Sequence, residues 1–263
     1  MSLLRNWLLG LPAYLWSGWG AVSSLLLLLA GWELVSAAYG PLILPDPMET
    51  LGQLNRMLQN HAVWSDIGVT ARRAMVGLLL ATLVGSVLGL AAGLSMTASM
   101  LSRPWVTVLL GTPPIAWLVL AMLWFGASDG TPVFTVFVAC FPVVFVSALQ
   151  GARTLDHHLK DMAQVFGLGL RMKLTDLYVP HVLSYLFPAF TTALGTSWKV
   201  VVMAELLSCS DGVGAALASS RAQLDTTSTL AWIAAVVGIL LLVEYLLLEP
   251  VKREVERWRD LDT

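Results

Sequence analysis

The residue types that most often carry out chemistry are sparse in this chain, and their spacing does not fit a catalytic centre or a metal site. The sequence contains four histidines and two cysteines. His157 and His158 are adjacent, so on a helix their side chains point about 100° apart instead of sharing a face as i, i+4 metal ligands do. Cys140 and Cys209 lie in or near apolar runs and lack the spacing of a redox or zinc motif. We therefore expect no catalytic residue, no metal ligand and no disulfide.

One charged residue is notable for its position. Lys199 lies inside a long apolar run, and a charged side chain within a membrane costs about 2.5–3.5 kcal/mol on insertion scales. We predict that Lys199, with its neighbours Trp198 and Glu205, lies on a solute pathway and attracts or positions an anion. The alternative is that Lys199 extends to the membrane surface or pairs with an acid of a neighbouring helix. Glu205 follows six residues later, on a different helix face, so it is not an obvious partner within the same helix.

A second candidate for the pathway is a pair of prolines in an apolar run. Pro113 and Pro114 remove two backbone donors and therefore break a helix that would otherwise cross the membrane. Broken helices at membrane depth normally line a cavity or are satisfied by neighbouring helices. We predict that the segment from Pro113 to Trp117 forms part of the pathway or its gate, with a purely structural kink as the alternative.

The composition indicates that lipid is the solvent for much of this chain. Of its 263 residues, 57% are hydrophobic and only 12% are charged, whereas a soluble domain has about 25% charged residues. The formal net charge is −2, and no basic patch with interleaved aromatic residues occurs, which disfavours nucleic-acid binding.

Six runs are long and apolar enough to cross a bilayer as helices, which requires about 20 residues each. The sequence therefore predicts an all-α integral membrane protein, a bundle of six spanning helices in one domain covering residues 1–263. The N-terminal run could alternatively be a cleavable signal peptide ending near 35–38. The predicted spans are 19–38, 67–95, 105–125, 132–150, 181–207 and 230–248.

The distribution of basic residues predicts the orientation of the bundle, because loops on the cytoplasmic side are rich in Lys and Arg. With both termini in the cytoplasm, ten of the fifteen basic residues of the chain fall on the cytoplasmic side. Arg72 and Arg73 fall at the outer end of the second span. The ten residues are Arg5, Arg103, Arg153, Lys160, Arg171, Lys173, Lys252, Arg253, Arg257 and Arg259.

The second predicted span has a small residue at every fourth position, which places all of them on one helix face. Such a ridge allows a neighbouring helix backbone to approach closely. We predict a packing face consisting of Gly77, Ala81, Gly85, Gly89 and Gly93. Before this span, Asp46-Pro47 followed by Glu49 indicates the start of a short amphipathic helix at the outer surface.

The cytoplasmic connection between the fourth and fifth spans is the most informative segment. Met162, Val165 and Phe166 are spaced i, i+3, i+4 and form one apolar stripe on a short helix predicted at 159–168. Gly167 then permits a sharp turn, and Pro180 ends the connection. A short helix with an exposed apolar stripe is typical of a docking element for another protein, although the segment could alternatively fold back onto its own bundle.

This segment resembles the coupling motif of the permease subunits of ATP-binding-cassette (ABC) importers. That motif is Glu-Ala-Ala, three residues, Gly, nine residues, then an aliphatic residue, any residue, an aliphatic residue and Pro. This chain departs from it at Asp161, which is shorter than Glu, and at Met162, which replaces a small residue. At the motif positions it has Asp161, Met162, Ala163, Gly167, Leu177, Val179 and Pro180.

The resemblance extends over nearly the whole chain and is nearest to the nitrate, sulfonate, taurine and bicarbonate branch of these permeases. Several short motifs occur in the order and spacing of that branch. They are Leu44-Pro45-Asp46-Pro47, Pro113-Pro114-Ile115-Ala116-Trp117, Leu123-Trp124-Phe125-Gly126, Trp198, Ala204-Glu205 and Gly212-Val213-Gly214.

The resemblance implies a bacterial inner-membrane importer of the type I fold. In that architecture two permease chains form the pathway, cytoplasmic ATPase subunits bind the short helix as a coupling helix, and a periplasmic binding protein delivers the solute. The sequence has no Gly-rich phosphate loop, so ATP and Mg²⁺ are expected only in the partner ATPase. Two alternatives stay open, namely an ion-coupled transporter or channel that works without an ATPase, and a membrane scaffold without transport.

Overall fold

The computed structural model describes residues 23–243 apart from Leu25 and Pro41, and it leaves the side chains of Lys160 and Leu170 undescribed. Most of the described residues are helical, with short turns and loops between the helices, and strands are absent among them. The chain divides into two compact units, one formed by residues 1–59 and 220–234 and the other by 60–219 and 235–263. The prediction of a single domain over residues 1–263 stays a prediction.

The smaller unit contains two helices near the start of the described chain and the first part of the last one. Helix α1 is Leu26–Tyr39 and α2 is Pro47–Leu58. Asp46 caps α2 by accepting a hydrogen bond from the Glu49 amide at 2.6 Å, so the predicted helix start is confirmed. The Trp32 indole donates to the carbonyl of Pro45 at 2.9 Å and joins α1 to the start of α2.

The larger unit contains the long helices. Three of them follow one another closely at its start: α3 is His61–Gly93, α4 is Met96–Gly111 and α5 is Pro114–Phe125. The remaining elements are α6 (Gly130–Arg153), α7 (His157–Val165), α8 (Leu170–Met172), a π-helical segment (Lys173–Tyr178) and α9 (Val179–Ser208). Two further helices, each shared between the units, are α10 (Val213–Ala222) and α11 (Thr226–Val243).

The ridge of small residues on α3 packs directly against α6, as predicted. A β-carbon added at Gly77 would lie 2.7 Å from the Val136 side chain, and one at Gly93 would lie 2.5 Å from Ala152. The contacts run from Gly77 with Val136 to Gly93 with Ala152, so residue numbers increase in the same direction along both helices. Helices α3 and α6 are therefore parallel. The contact depends on the absence of side chains, because lipid supplies no hydrophobic drive for two helices to associate.

Helix α9 completes this core and runs antiparallel to α6. The Cys140 thiol on α6 donates to the carbonyl of Ala193 at 3.4 Å, while Gly151, further along α6, faces Val182 of α9. Buried apolar residues of α3, α6 and α9 form one cluster. The members of this cluster are Ala74, Leu78, Ala81, Val136, Cys140, Val144, Ala193, Trp198, Val200, Val201 and Val202.

The third predicted span, 105–125, is a broken helix. Helices α4 and α5 meet at an angle of 92°, and Thr112 between them has extended backbone angles. Pro113 and Pro114 follow at this point and supply no amide hydrogens. The predicted break is therefore confirmed, and the helix pair begins at Met96, earlier than predicted.

Four described helices are long and apolar enough to cross a membrane, and five if α4 and α5 count as one span. They correspond to the second to sixth predicted spans. The first predicted span, 19–38, is described only in part, by α1 and the residues just before it. The sixth, 230–248, is described up to Val243.

We expect that Gly89→Ala destabilises the protein through the contact of α3 with α6. The new β-carbon would lie 2.4 Å from the Phe145 carbonyl oxygen, and overpacking of this kind costs about 1–3 kcal/mol. The melting temperature of the purified protein in detergent, followed by size-exclusion chromatography after heating, measures this loss. Gly68→Ala on the same helix is the matched control, because its β-carbon has no neighbour within 4 Å. Equal melting temperatures for the two variants would contradict the close packing.

Candidate functional site

The short helix α7 is held in shape by hydrogen bonds at both of its ends. The Asp156 carboxylate accepts from the His158 amide at 2.9 Å at the first turn. At the last turn the amide of Gly167 donates to the Gln164 carbonyl and the amide of Leu168 to the Ala163 carbonyl, each at 3.0 Å. This pair of bonds is a Schellman motif. It requires a left-handed residue, and Gly167 supplies it with φ +62°.

The apolar stripe predicted for α7 is exposed. Val165 and Phe166 are 83% and 74% accessible, and Met162 is 45% accessible. Ala163, between them in sequence, is fully buried and anchors the helix to the rest of its unit. The helix starts at His157 and ends at Val165, slightly earlier than the predicted 159–168. A capped helix that presents large apolar side chains to its surroundings has the form of a docking element.

Two further residues of the predicted coupling motif, Asp161 and Pro180, lie before and after this stripe in the sequence. Asp161 is exposed on α7. Pro180 lies in the first turn of α9, directly after the π-helical segment. Because Pro180 has no amide hydrogen, the carbonyl four residues earlier lacks its usual α-helical donor. The change from π to α winding falls at this position.

One face of α9 carries polar side chains over most of its length. Ser184, Thr192 and Lys199 are exposed, and Thr191 and Thr196 are partly exposed. At 100° per residue, these positions and that of His181 fall within about 140° of one another around the helix. The threonine hydroxyls donate to backbone carbonyls one turn earlier, at 2.7–3.1 Å. Their hydrogen bonds are thus made within the helix.

Lys199 and Trp198 are adjacent in sequence and therefore point about 100° apart on α9, so one is exposed and the other buried. Trp198 is buried in the apolar core and its indole donates to the Val236 carbonyl at 3.2 Å. Lys199 is exposed, and within the described part of the chain no carboxylate oxygen lies within 4.0 Å of its ammonium. The predicted pathway role of these two residues is untested and stays a prediction.

The predicted gate segment lies at the bend between α4 and α5. Pro113 is exposed and precedes α5, and Pro114 is the first residue of that helix. Trp117 is partly buried, and its indole nitrogen is buried without a hydrogen-bond partner among the described residues. This orphaned donor is unusual, because buried polar groups are nearly always paired.

Glu205 of α9 takes part in a buried ion pair that connects distant parts of the chain. Its Oε1 atom accepts from Arg73 Nη1 at 2.9 Å, and the side chains of Glu205 and Arg73 are 0% and 3% accessible. Arg73 is on α3, so the pair joins two helices that run in opposite directions. A buried charge is tolerated only when it is paired and hydrogen-bonded.

The remaining donors of Arg73 bind two loops. Its guanidinium donates to Asp129, before α6, and to both the carbonyl and the carboxylate of Asp211, after α9. Arg72 also contacts Asp129 but is exposed. The hydrogen bond from Arg73 holds the pKa of Asp129 below its usual range. Arg73 therefore fixes α3, α9 and both loops at one end of the helices.

The second carboxylate oxygen of Glu205 accounts for the two glycines, Gly212 and Gly214, in the turn after α9. Glu205 Oε2 accepts from the Thr70 hydroxyl at 2.7 Å and from the Gly214 amide at 3.1 Å. A β-carbon at Gly212, which has φ +96°, would lie 2.6 Å from the carboxylate, and one at Gly214 would lie 2.3 Å from the Val202 carbonyl oxygen. The turn leading into α10 must therefore be glycine-rich to enclose the carboxylate.

The ion pair between Arg73 and Glu205 was not predicted from the sequence. The Glu205 carboxylate has no partner among the described residues of its own helix, and its partner Arg73 lies 132 residues away along the chain. A signal was present, because Arg73 lies near the start of its predicted span and Glu205 near the end of an antiparallel one. Both residues therefore lie at a similar depth, near the same side of the membrane. Groups of three or more potential metal ligands are absent among the described residues.

The family described as "Binding-protein-dependent transport system inner membrane component" matches residues 63–253. The matched segment includes α7, the polar face of α9 and both partners of the buried ion pair.

Individual relatives match over most of the chain. The taurine transport system permease protein TauC of Escherichia coli (strain K12) is 29% identical, over 90% of this chain and 89% of its own length. The putative aliphatic sulfonates transport permease protein SsuC of Bacillus subtilis (strain 168) is 26% identical, over 97% and 89%. A solved crystal structure of an amino acid ABC transporter with histidines has a TM-score of 0.58 at 14% identity, covering 74% of this chain and 94% of the other. This likeness shows that the fold is the same.

We expect that Arg73→Gln strongly destabilises the protein, because it leaves Glu205 buried without its counter-charge. Breaking a buried ion pair in this way costs about 3–5 kcal/mol. Thermal unfolding of the purified protein, together with the amount recovered from membranes, measures the effect. Arg72→Gln is the matched control, because the adjacent Arg72 is 62% accessible and an exposed ion pair contributes about 0–1 kcal/mol. Similar stability of the two variants would show that the pair is not a structural requirement.

Proposed function

Since this chain belongs to the family of inner-membrane components of binding-protein-dependent transport systems, we propose that it forms the solute pathway of an ATP-driven importer of small anions. It is a permease subunit rather than an enzyme. The observation that carries the proposal is the polar face of α9 that ends in the exposed Lys199.

This face is unsuited to contact with lipid. An exposed ammonium in a spanning helix costs several kcal/mol unless it meets water or another protein surface. Within the described residues Lys199 has no carboxylate partner, and the opposite side of α9 is already occupied by the packed core. The polar face therefore borders the pathway, and Lys199 supplies positive charge to an anion passing along it.

Trp198 and Glu205 contribute to the pathway indirectly. Trp198 packs in the core beside Lys199 and sets the rotation of α9, so that the lysine faces outward. Glu205 holds the end of α9 through Arg73. In the bent segment, the extended backbone at Thr112 and the exposed Pro113 open the helix between α4 and α5, which supports a gate at Pro113 and Pro114.

The exposed stripe of α7 is the contact for the partner that supplies energy. Met162, Val165 and Phe166 insert into a groove of a cytoplasmic ATPase subunit, which holds ATP and Mg²⁺. The capped ends of α7 let it move as a rigid piece when the ATPase closes. The remaining partners are a periplasmic binding protein and a second copy of this permease.

The orientation follows from the same assignment. With α7 in the cytoplasm, both termini are cytoplasmic, and the Arg73 end of the helices faces the periplasm. The turn at Asp211-Gly212 then lies where a binding protein docks. The protein resides in the bacterial inner membrane.

The substrate class is a small organic or inorganic anion such as a sulfonate, taurine or nitrate. Two relatives are named for taurine and aliphatic sulfonates, and a lysine on the pathway suits a sulfonate group. The alternative of an ion-coupled transporter or channel working without an ATPase does not fit the family.

We expect that Lys199→Met lowers solute uptake by about tenfold, equivalent to about 1.4 kcal/mol of lost interaction. The measurement is uptake of radiolabelled taurine, ethanesulfonate and nitrate by cells producing the importer. Lys199→Arg keeps the positive charge and is expected to keep most of the uptake. Membrane levels and ATPase co-purification, measured in parallel, are expected to be unchanged. Normal uptake by Lys199→Met would remove Lys199 from the pathway.

We expect that the double variant Val165→Glu, Phe166→Glu loses its ATPase, because two charges would have to be buried in an apolar contact. The amount of ATPase that co-purifies with the permease is expected to fall by at least about tenfold. Gln164→Glu is the control, since it adds a charge next to these residues in the sequence but on a different face of the helix. Full retention of the ATPase by the double variant would refute the docking role of α7, and would leave the assignment of Lys199 unaffected.

A further inference from the structure

A cavity of about 440 Å³ lies between α4 and α6, at the end of these helices nearest to α7. It is separate from the exposed stripe of α7 and from the polar face of α9. Its wall on α4 has the spacing of a single helix face. That wall consists of Ser99, Ser102, Arg103, Val106 and Thr107.

The charged side chains that line the cavity are both positive. Arg103 lies on α4 and Arg153 in the last turn of α6. Carboxylates are absent from the lining, and none of the described residues forms an ion pair with either guanidinium. Ser99 is buried, and its hydroxyl accepts from Arg153 Nη1 at 2.9 Å, which positions that arginine. The cavity is therefore a cation-lined site without a counter-charge.

The lining changes from polar to apolar along the helix axis. Arg153, Thr154 and Gln150 lie towards the end of α6, whereas Phe145 and Val146 lie deeper. The distance between these two levels is about 12 Å, at 1.5 Å per residue. A ligand that fills the cavity must therefore carry an anionic group at one end and hydrocarbon at the other.

The surroundings indicate that such a ligand is a lipid. Leu101, Trp105 and Val108 lie on the side of α4 away from the cavity and are 58–74% accessible. Exposed tryptophan is typical of the boundary between headgroups and hydrocarbon. Basic pockets between spanning helices at the membrane surface bind anionic headgroups. We propose that this cavity is a binding site for an anionic phospholipid, with its phosphate between Arg103 and Arg153 and an acyl chain along Phe145 and Val146.

Binding of phosphatidylglycerol to the purified full-length protein tests the site. The permease is reconstituted in nanodiscs of phosphatidylcholine with increasing phosphatidylglycerol, and bound lipid is measured by native mass spectrometry. We expect wild type to prefer phosphatidylglycerol. The double variant Arg103→Gln, Arg153→Gln is expected to bind it about thirtyfold more weakly, since each basic residue at an anionic surface contributes about fivefold.

Two further variants separate loss of the site from loss of the fold. Arg103→Lys, Arg153→Lys keeps both charges and is expected to keep most of the preference for phosphatidylglycerol. Arg221→Gln removes an exposed arginine on α10 that does not line the cavity, and is expected to bind like wild type. Loss of the preference in Arg221→Gln as well would overturn the proposal, because it would show a general surface-charge effect.

Soluble anions distinguish the headgroup from a transported solute. We expect that inorganic phosphate and taurine in solution do not displace the bound lipid, because neither fills the apolar part of the cavity. Displacement by either compound would overturn the lipid assignment and make the cavity a site for soluble anions. Unchanged lipid binding by the double glutamine variant would equally overturn it.

Discussion

The buried contact between Arg73 and Glu205 is the constraint on which the rest of the larger unit depends. Neither charge is tolerable alone away from water, so α3 and α9 must meet at one depth and one rotation. The arginine also binds Asp129 and Asp211, which fixes the loops before α6 and after α9. The carboxylate in turn organises the start of α10 through the amide of Gly214. One pair of side chains thus determines the relative positions of four segments that are far apart in sequence.

Features that depend on local chemistry could be predicted from the sequence. The small-residue ridge, the break at Pro113 and the termination of α7 at Gly167 all follow from backbone geometry within a few residues. Contacts across the fold could not be predicted, because a single sequence does not say which buried acid meets which base. The assignment of Glu205 therefore lacked its partner. Similarly, the apolar run around Trp198 gave no indication of which side of α9 would pack and which would stay open.

Helix α9 combines two roles that usually belong to different elements. Its apolar side contributes to the core with α3 and α6, while its other side carries hydroxyl groups and one ammonium. Since the threonine hydroxyls bond within the helix, the polar side remains stable without a protein neighbour. The helix can therefore border water over much of its length and still be anchored firmly, which is the combination a conduit through a membrane requires.

Helix α6 connects the two ends of this arrangement as one continuous helix with Pro142 in its interior. It begins next to Asp129 and ends three residues before α7, and its 24 residues correspond to a length of about 36 Å. Along this length it meets α3 almost backbone to backbone, so little compressible material separates the two. Pro142 in the interior of α6 removes one backbone hydrogen bond, so the close contact with α3 has to carry a tilt imposed at the α7 end past this point. At the far end of α6 the tilt shifts Asp129 sideways relative to Arg73. The contact between these two side chains is therefore expected to respond to movement of α7.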